Sequence, residues 1–424
     1  MSESRPAGQN GQSDSSGVAR ATPPIQLAYI GPDGQIFVRR FPSDTTHQLT
    51  WSWQDQQAQY PPQGPQDPES QPAPPSVTYS WPTWSPDSQQ LACFARQGED
   101  GPASVYTVAA DGVESWERAN LGQGAPIYGN WSPQADMFTV LVQRGDRQLA
   151  LETIGIAQPG KTRTLLTGAP LFWSWAPQGR LVAAHVGDNE TGRVVLLEAA
   201  TGSIVREVST SPGTFRVPAW SPDGELLTYV EQGTDGSQTL RLFDIQSGKS
   251  APVSQASGMT AALWSPDGQA LVFSSTQRQN SLLSPALHLL DLSTGQTTTL
   301  LETPVAGFLW APQGTHLVYL SVDVQHSQLR WHRYDQTTGE SQELIRFLPS
   351  REQTLQFSFF DQYAGSHPLL APDGALLTFT GHLPDAAAQP ATTAPTVYTL
   401  PLTPPFTPQA IASGSFACWN IQTG

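Results

Sequence analysis

The sequence predicts an all-β chain: an eight-bladed β-propeller of four-stranded antiparallel blades, closed by a C-terminal strand that joins three N-terminal strands. Three observations predict it. One short phrase recurs seven times between residues 84 and 374. Each copy is followed by the same alternation of apolar residues. The two ends of the chain carry complementary parts of one further unit.

The phrase reads Trp84-Ser85-Pro86-Asp87, Trp131-Ser132-Pro133-Gln134, Trp175-Ala176-Pro177-Gln178-Gly179 and Trp220-Ser221-Pro222-Asp223-Gly224. It continues as Trp264-Ser265-Pro266-Asp267-Gly268, Trp310-Ala311-Pro312-Gln313-Gly314 and, with Leu in place of Trp, Leu370-Ala371-Pro372-Asp373-Gly374. Successive copies lie 47, 44, 45, 44, 46 and 60 residues apart. A period of roughly 40–50 residues built from short strands is the mark of a propeller.

The unit around Trp220 shows the grammar. Residues 214–220 read as a first strand, and Ser221-Pro222-Asp223-Gly224 supplies the turn: Pro presets φ, Asp accepts local hydrogen bonds and Gly takes positive φ. Residues 226–230, 239–243 and 250–253 read as the second, third and fourth strands. Seven residues after each repeat Trp (or Leu370) stands Leu91, Phe138, Val182, Leu227, Leu271, Leu317 or Leu377. Two residues further stands Cys93, Val140, Ala184, Tyr229, Phe273, Tyr319 or Phe379. That alternation belongs to a strand packed between neighbouring sheets, and the repeat Trp is expected to fill the wedge between them.

The ends complete the pattern. Residues 415–419 read as a first strand with no partners after it, whereas residues 27–29, 36–38 and 47–50 read as second, third and fourth strands without a first. Pairing them removes two open sheet edges. The first 24 residues, rich in Ser, Gly and Gln, are expected to be a disordered tail, leaving residues 25–424 as the propeller.

Composition excludes several functions. Net charge is −15, and Lys161 and Lys249 are the only lysines, so nucleic-acid and anionic-membrane binding lack their electrostatic driving force. Neither a signal peptide nor an apolar spanning segment is present, so a cytoplasmic location is expected, with a periplasmic or extracellular one as the alternative if an export signal has been removed. Cys93 and Cys418 are too few for a disulfide framework or a cysteine metal site, and both are expected to be buried free thiols.

The Trp-Ser-Pro-Asp-Gly phrase with its following Leu-Ala-Phe-like strand resembles the repeats of bacterial TolB-type propellers, relatives in shape of WD-repeat proteins. The resemblance covers residues 25–424. It implies a propeller, found both in envelope-complex components and beside serine peptidase domains. From this sequence, neither a hydrolase domain after the closing strand nor the separate N-terminal α/β domain of TolB is expected.

Residues 155–162, Gly-Ile-Ala-Gln-Pro-Gly-Lys-Thr, satisfy the P-loop pattern letter by letter. That chemistry needs a helix after the loop. Strands are expected on both sides instead, which makes Gly160 a turn glycine. Neither a Gly-x-Ser-x-Gly elbow nor a His-Glu-x-x-His helix occurs. His326 and His332 flank a strand and are not expected to share a metal. The acids Glu99, Asp100, Asp188, Glu190, Glu231 and Asp235 fall in loops of one face and are expected to be solvated. No cofactor and no metal is expected.

Both long insertions fall on that same face, where first strands begin. Residues 51–76 carry Trp51 and Trp53 before a Pro-rich run. Residues 351–367 carry Phe357, Phe359, Phe360 and Tyr363 among polar residues. The positions three before the repeat Trp add an arc of Phe416, Trp81, Tyr128 and Phe172 near the channel mouth. These ten aromatics are the expected partner-binding surface, since aromatic anchors among polar groups carry interfaces, the alternative for the arc and the insertions being an ordinary channel lining with packed insertions. The function expected is a non-enzymatic scaffold, a monomeric propeller within a larger complex, that binds a protein or peptide. A glycan-binding or envelope-associated propeller is the second reading. An enzyme using Asp361, His367 or Asp188 as acid or base is the third.

Overall fold

The computed structural model describes residues 24–51, 76–145, 148–187, 191–213, 216–276, 283–384 and 394–421. The predicted tail, Trp53 and the Pro-rich run fall outside them. Among the described residues the chain is all-β apart from two short helices, and every strand pairing there is antiparallel. Five four-stranded sheets follow one another in the chain, their first strands being Val77–Trp84, Ala125–Trp131, Leu171–Trp175, Ala219–Trp220 and Thr260–Trp264. A seven-stranded sheet begins with Gly307–Trp310 and ends with Gln409–Ser413. The remaining sheet takes strands from both ends of the chain: Phe416–Trp419 pairs with Ile25–Ile30, with Leu27 opposite Trp419 and Ile30 opposite Phe416. Ile36–Phe41 and Thr45–Gln48 complete it.

The seven residues placed seven after the repeat Trp or Leu are all fully buried. They pack with residues of the adjacent sheet, as where Leu91 joins Ile36, Val38 and Cys418. The recurrent turn is built as its residues dictate. Ser221 Oγ donates to Asp223 Oδ1 at 2.5 Å, the Glu225 amide donates to the same oxygen, and Gly224 takes φ +71°. Ser85 and Ser265 repeat the bond to Asp87 and Asp267. Where Gln replaces Asp the side chain reaches the next turn instead, Gln134 to the Gln178 carbonyl and Gln313 to that of Pro372.

The repeat tryptophans tie one inner strand to the next. The indole N–H groups of Trp131, Trp220, Trp264 and Trp310 donate to the carbonyls of Thr83, Ser174, Ala219 and Leu263. Each acceptor immediately precedes the Trp of the previous sheet, so one hydrogen bond recurs around the inner wall. Cys93 and Cys418 are free and buried, and burial raises both thiols well above the ordinary range. The P-loop lookalike is a hairpin turn between Gln148–Gly155 and Thr162–Thr167, with Gly160 at φ +80° and Lys161 exposed. No helix N-terminus is there to cradle phosphate. No helix among the described residues is long and apolar enough to cross a membrane.

Candidate functional site

The second insertion is a helical plug. Ser350 caps helix α1 (Arg351–Ser358), its Oγ accepting from the Gln353 amide, and α2 (Phe360–Tyr363) follows after Phe359. The plug packs against first strands of several sheets, α2 touching Leu171–Trp175, Thr260–Trp264 and Gly307–Trp310. Tyr363 stacks on Trp81 at 5.2 Å and meets Tyr128 edge-on at 5.1 Å. Phe360 packs on Phe308 at 4.9 Å, and Phe357 packs edge-on against Trp331 at 5.6 Å. Phe359 meets Phe172 at 5.8 Å, while His367 lies 5.5 Å from Phe416.

Sequence reasoning placed the arc of Phe416, Trp81, Tyr128 and Phe172 and the aromatic insertion on one face, either as a partner-binding surface or as a channel lining with a packed insertion. The structure brings them together and turns most of them inward. Tyr128, Phe357, Phe360, Tyr363 and Phe416 are all buried. The correction has a simple cause: an insertion rich in rings, above a channel lined with rings, buries both by entering it. Trp81 is re-aimed for this contact by a bulge between Ser80 and Thr83, where it takes φ +53°, a costly conformation for a bulky residue. Of the first insertion only Trp51 and Ser76 are described, and Trp51 is exposed and outside this cluster.

Two of the acid–base candidates, Asp361 and His367, are engaged in contacts between plug and wall. Asp361 forms a buried ion pair with Arg216 at 2.9 Å, and Arg216 also donates to the Ser358 carbonyl. His367 is enclosed. Its Nδ1 lies 2.8 Å from Ser366 Oγ and its Nε2 lies 3.0 Å from Thr83 Oγ1. Tyr128 OH donates to Ser366 Oγ at 2.9 Å, and Thr83 Oγ1 donates to the Trp81 carbonyl. The donors run in one direction if Ser366 gives its proton to Nδ1 and the imidazole carries its own on Nε2. Burial lowers the His367 pKa to about 3, so the ring is a neutral clasp between plug and wall. The same burial raises Tyr128 to about 12. Gln353, Gln356 and Gln362 extend the clasp, Gln362 Nε2 reaching the Trp173 carbonyl at 2.9 Å.

The other sequence candidates do not converge. Asp188 and Glu190 lie outside the described residues. Glu231 pairs with Arg241, and Asp235 accepts from its own turn. His326 bonds Asp323 and His332 bonds Ser321. No group of three or more His, Cys, Asp or Glu among the described residues is placed to hold a metal.

One recess remains open beside the plug. A cavity of about 220 Å³ lies between the strands Ala125–Trp131 and Leu171–Trp175 and α1, walled by Phe172, Phe359, Tyr128, Tyr363, Ile127 and Leu355. Ile127 and Leu355 are 39% and 44% exposed, which leaves two large apolar side chains at its rim. Neither was singled out from sequence, because position three before the Trp drew attention to Tyr128 and not to its neighbour. Arg216 was missed as well, having no signal beyond a basic residue beside a first strand.

No family model matches the chain, and no curated protein matches it. Solved structures do. Oligogalacturonate lyase in complex with manganese is 12% identical with a TM-score of 0.50, covering 80% of this chain and 84% of that one. A eukaryotic initiation factor is 10% identical with a TM-score of 0.54, over 95% and 100% of the two chains. TolB from Acinetobacter baumannii is 14% identical with a TM-score of 0.42, over 82% of each. One of these is a lyase and another an initiation factor, and a shared fold carries neither activity to this chain. The likeness is one of fold, that of a β-propeller, and the TolB-type resemblance of the repeats is a resemblance at that level.

Proposed function

We propose that the protein is a non-catalytic binding platform, an eight-bladed propeller that holds a partner protein on the face where the plug enters. The blade count rests on dividing the seven-stranded sheet at its weakest seam. Ser341–Pro349 and Leu376–His382 share only the pairs Leu348–His382 and Pro349–Gly381, and Leu370, bridged to Leu377, stands where an inner strand would run. The strand Phe416–Trp419 would then close the ring.

The observation that carries the binding reading is the open apolar recess between Phe172 and Phe359, rimmed by Ile127 and Leu355. Burying such side chains against an aliphatic or aromatic anchor is favourable by about 25 cal/mol per Å² of apolar surface. The recess offers few polar groups, which favours a protein side chain over a sugar. The buried acid and the neutral histidine favour a structural use of the channel over catalysis.

The test is a photo-crosslinking side chain at Ile127, used in extract of the native host to identify the partner, followed by affinity measurement on the purified pair. Phe359→Ser and Leu355→Ser should each weaken binding by about 2 kcal/mol, as interface anchors do. Gln246→Ala, on the opposite face, should leave it unchanged. Undiminished affinity in both recess variants would overturn the assignment.

A further inference from the structure

The opposite mouth of the channel is not closed. Six repeat positions carry the same Trp, yet their surroundings differ. Trp84 and Trp131 are at most 2% exposed, whereas Trp220 and Trp310 are only half-buried. They and Trp264 line a cavity of about 380 Å³, together with Pro222, Pro266 and Pro312 from their own turns. The end of the plug, from Ala364 to Leu370, forms its roof. The indole N–H groups are already used by backbone carbonyls, so what the three rings offer an incoming group is their π faces.

Charge selects what fits. No charged residue of either sign lines this cavity. Asp223 and Asp267 directly follow the lining residues Pro222 and Pro266 in their turns, and both are exposed. Bonds from Ser221 and Ser265 hold Asp223 and Asp267 below the usual carboxylate range, so both stay ionised at neutral pH. Indole faces lining a cavity whose neighbouring turns carry exposed carboxylates match a cation on a flexible stem, since ammonium and guanidinium groups are attracted to the face of Trp. Aromatic-lined grooves also accept extended segments.

We propose that this lower mouth is a second binding site, for an extended peptide segment of a partner protein bearing arginine or lysine, with Trp220, Trp264 and Trp310 as the cation-accepting wall. The site is independent of the recess beside the plug.

The probe is a fluorescein-labelled peptide of alternating Gly and Arg, measured by anisotropy at low and at physiological salt, with an alternating Gly-Glu peptide and spermine as comparisons. Binding of the basic peptide should be roughly tenfold or more tighter than that of either comparison, and should weaken with salt. Trp310→Ala should reduce it roughly tenfold. Gly365 supplies a variant that spares the fold: it lines the cavity, has no atom within 4 Å of an added Cβ and has no positive φ. Gly365→Arg should place a cation of the chain's own in the mouth and abolish binding with the melting temperature unchanged. Phe359→Ser, at the other site, should have no effect. Equal binding of spermine would mean that the rim charge acts alone and would overturn the proposal, as would full binding by Gly365→Arg.

Discussion

Single residues in this protein are set by where water is excluded. The same Trp serves as a fully buried wedge at position 131 and as half of a cavity wall at position 310, with the same indole hydrogen bond in both places. The buried histidines respond to pH for the same reason. Burial holds His367 at a pKa of about 3 and His185 at about 4, against 6.5 for a free imidazole. Between those values the unfolded chain binds protons that the folded chain refuses. The stability they protect is therefore whole above pH 6.5 and is lost as pH falls toward 4, at up to about 1.4 kcal/mol per pH unit for each ring. The unfolding free energy from urea titrations should drop steadily from pH 7 to pH 5, by about 2 kcal/mol for each of these two histidines at the lower value. His367→Gln, which cannot titrate, should remove one ring's share of that slope, the remainder coming from His185 and the other histidines that burial lowers, and an unchanged slope would show that His367 does not contribute.

At the scale of elements, the sheets were legible and the plug was not. Strand positions follow from turn chemistry and period-two burial, both strong in this chain. The unit at Trp220 appears as expected save that its first strand shrinks to Ala219–Trp220. The insertion was read as a loop because its buried face is half polar. Gln353, Gln356, Phe357, Phe360 and Tyr363 recur at helical spacing, but glutamine gives no hydrophobic signal. The one cue available was Ser350 with Gln353 three residues on, the spacing of a capping box. Gln353 does not close that box. Its Oε1 accepts from the Thr380 amide at 2.6 Å, while Ser350 bonds Thr380 and the Ser415 carbonyl. The cap thus also joins the plug to the strand Leu376–His382 and to the residue that leads into Phe416–Trp419. Ser350→Ala should cost about 1–2 kcal/mol, the upper range for a lost cap because buried partners are left unpaired. Chemical denaturation of the purified variant reads this directly, and a loss below about 0.5 kcal/mol would mean that α1 is held by its aromatics alone.

For the whole molecule, the decisive contact joins residues almost 400 apart in the chain. Asn420 Oδ1 accepts from the Gln26 amide at 2.8 Å, its Nδ2 donates to the Pro24 carbonyl, and Trp419 lies fully buried between Leu27 and Ala371. The complementary half-units at the two ends announced this pairing; the depth of its packing did not show in sequence, because Phe416 also meets Trp81 and His367 of the clasp. The C-terminal strand therefore supports the first sheet on one side and the plug on the other. A chain ending at Gly414 should lose both. It leaves the edge of Ile25–Ile30 unpaired, uncovers Leu27, Ala28 and Cys93, and removes Phe416 from the aromatic cluster around His367. Unpaired edges recruit other edges, so the truncated chain should aggregate at micromolar concentration and melt without a single cooperative transition. Supplying residues 415–424 as a separate peptide should restore a cooperative melt, because the missing strand makes backbone bonds that need no covalent link. A truncated chain that stays monomeric, with a melt as sharp as that of the full chain, would show that the terminal strand covers the ring and does not close it.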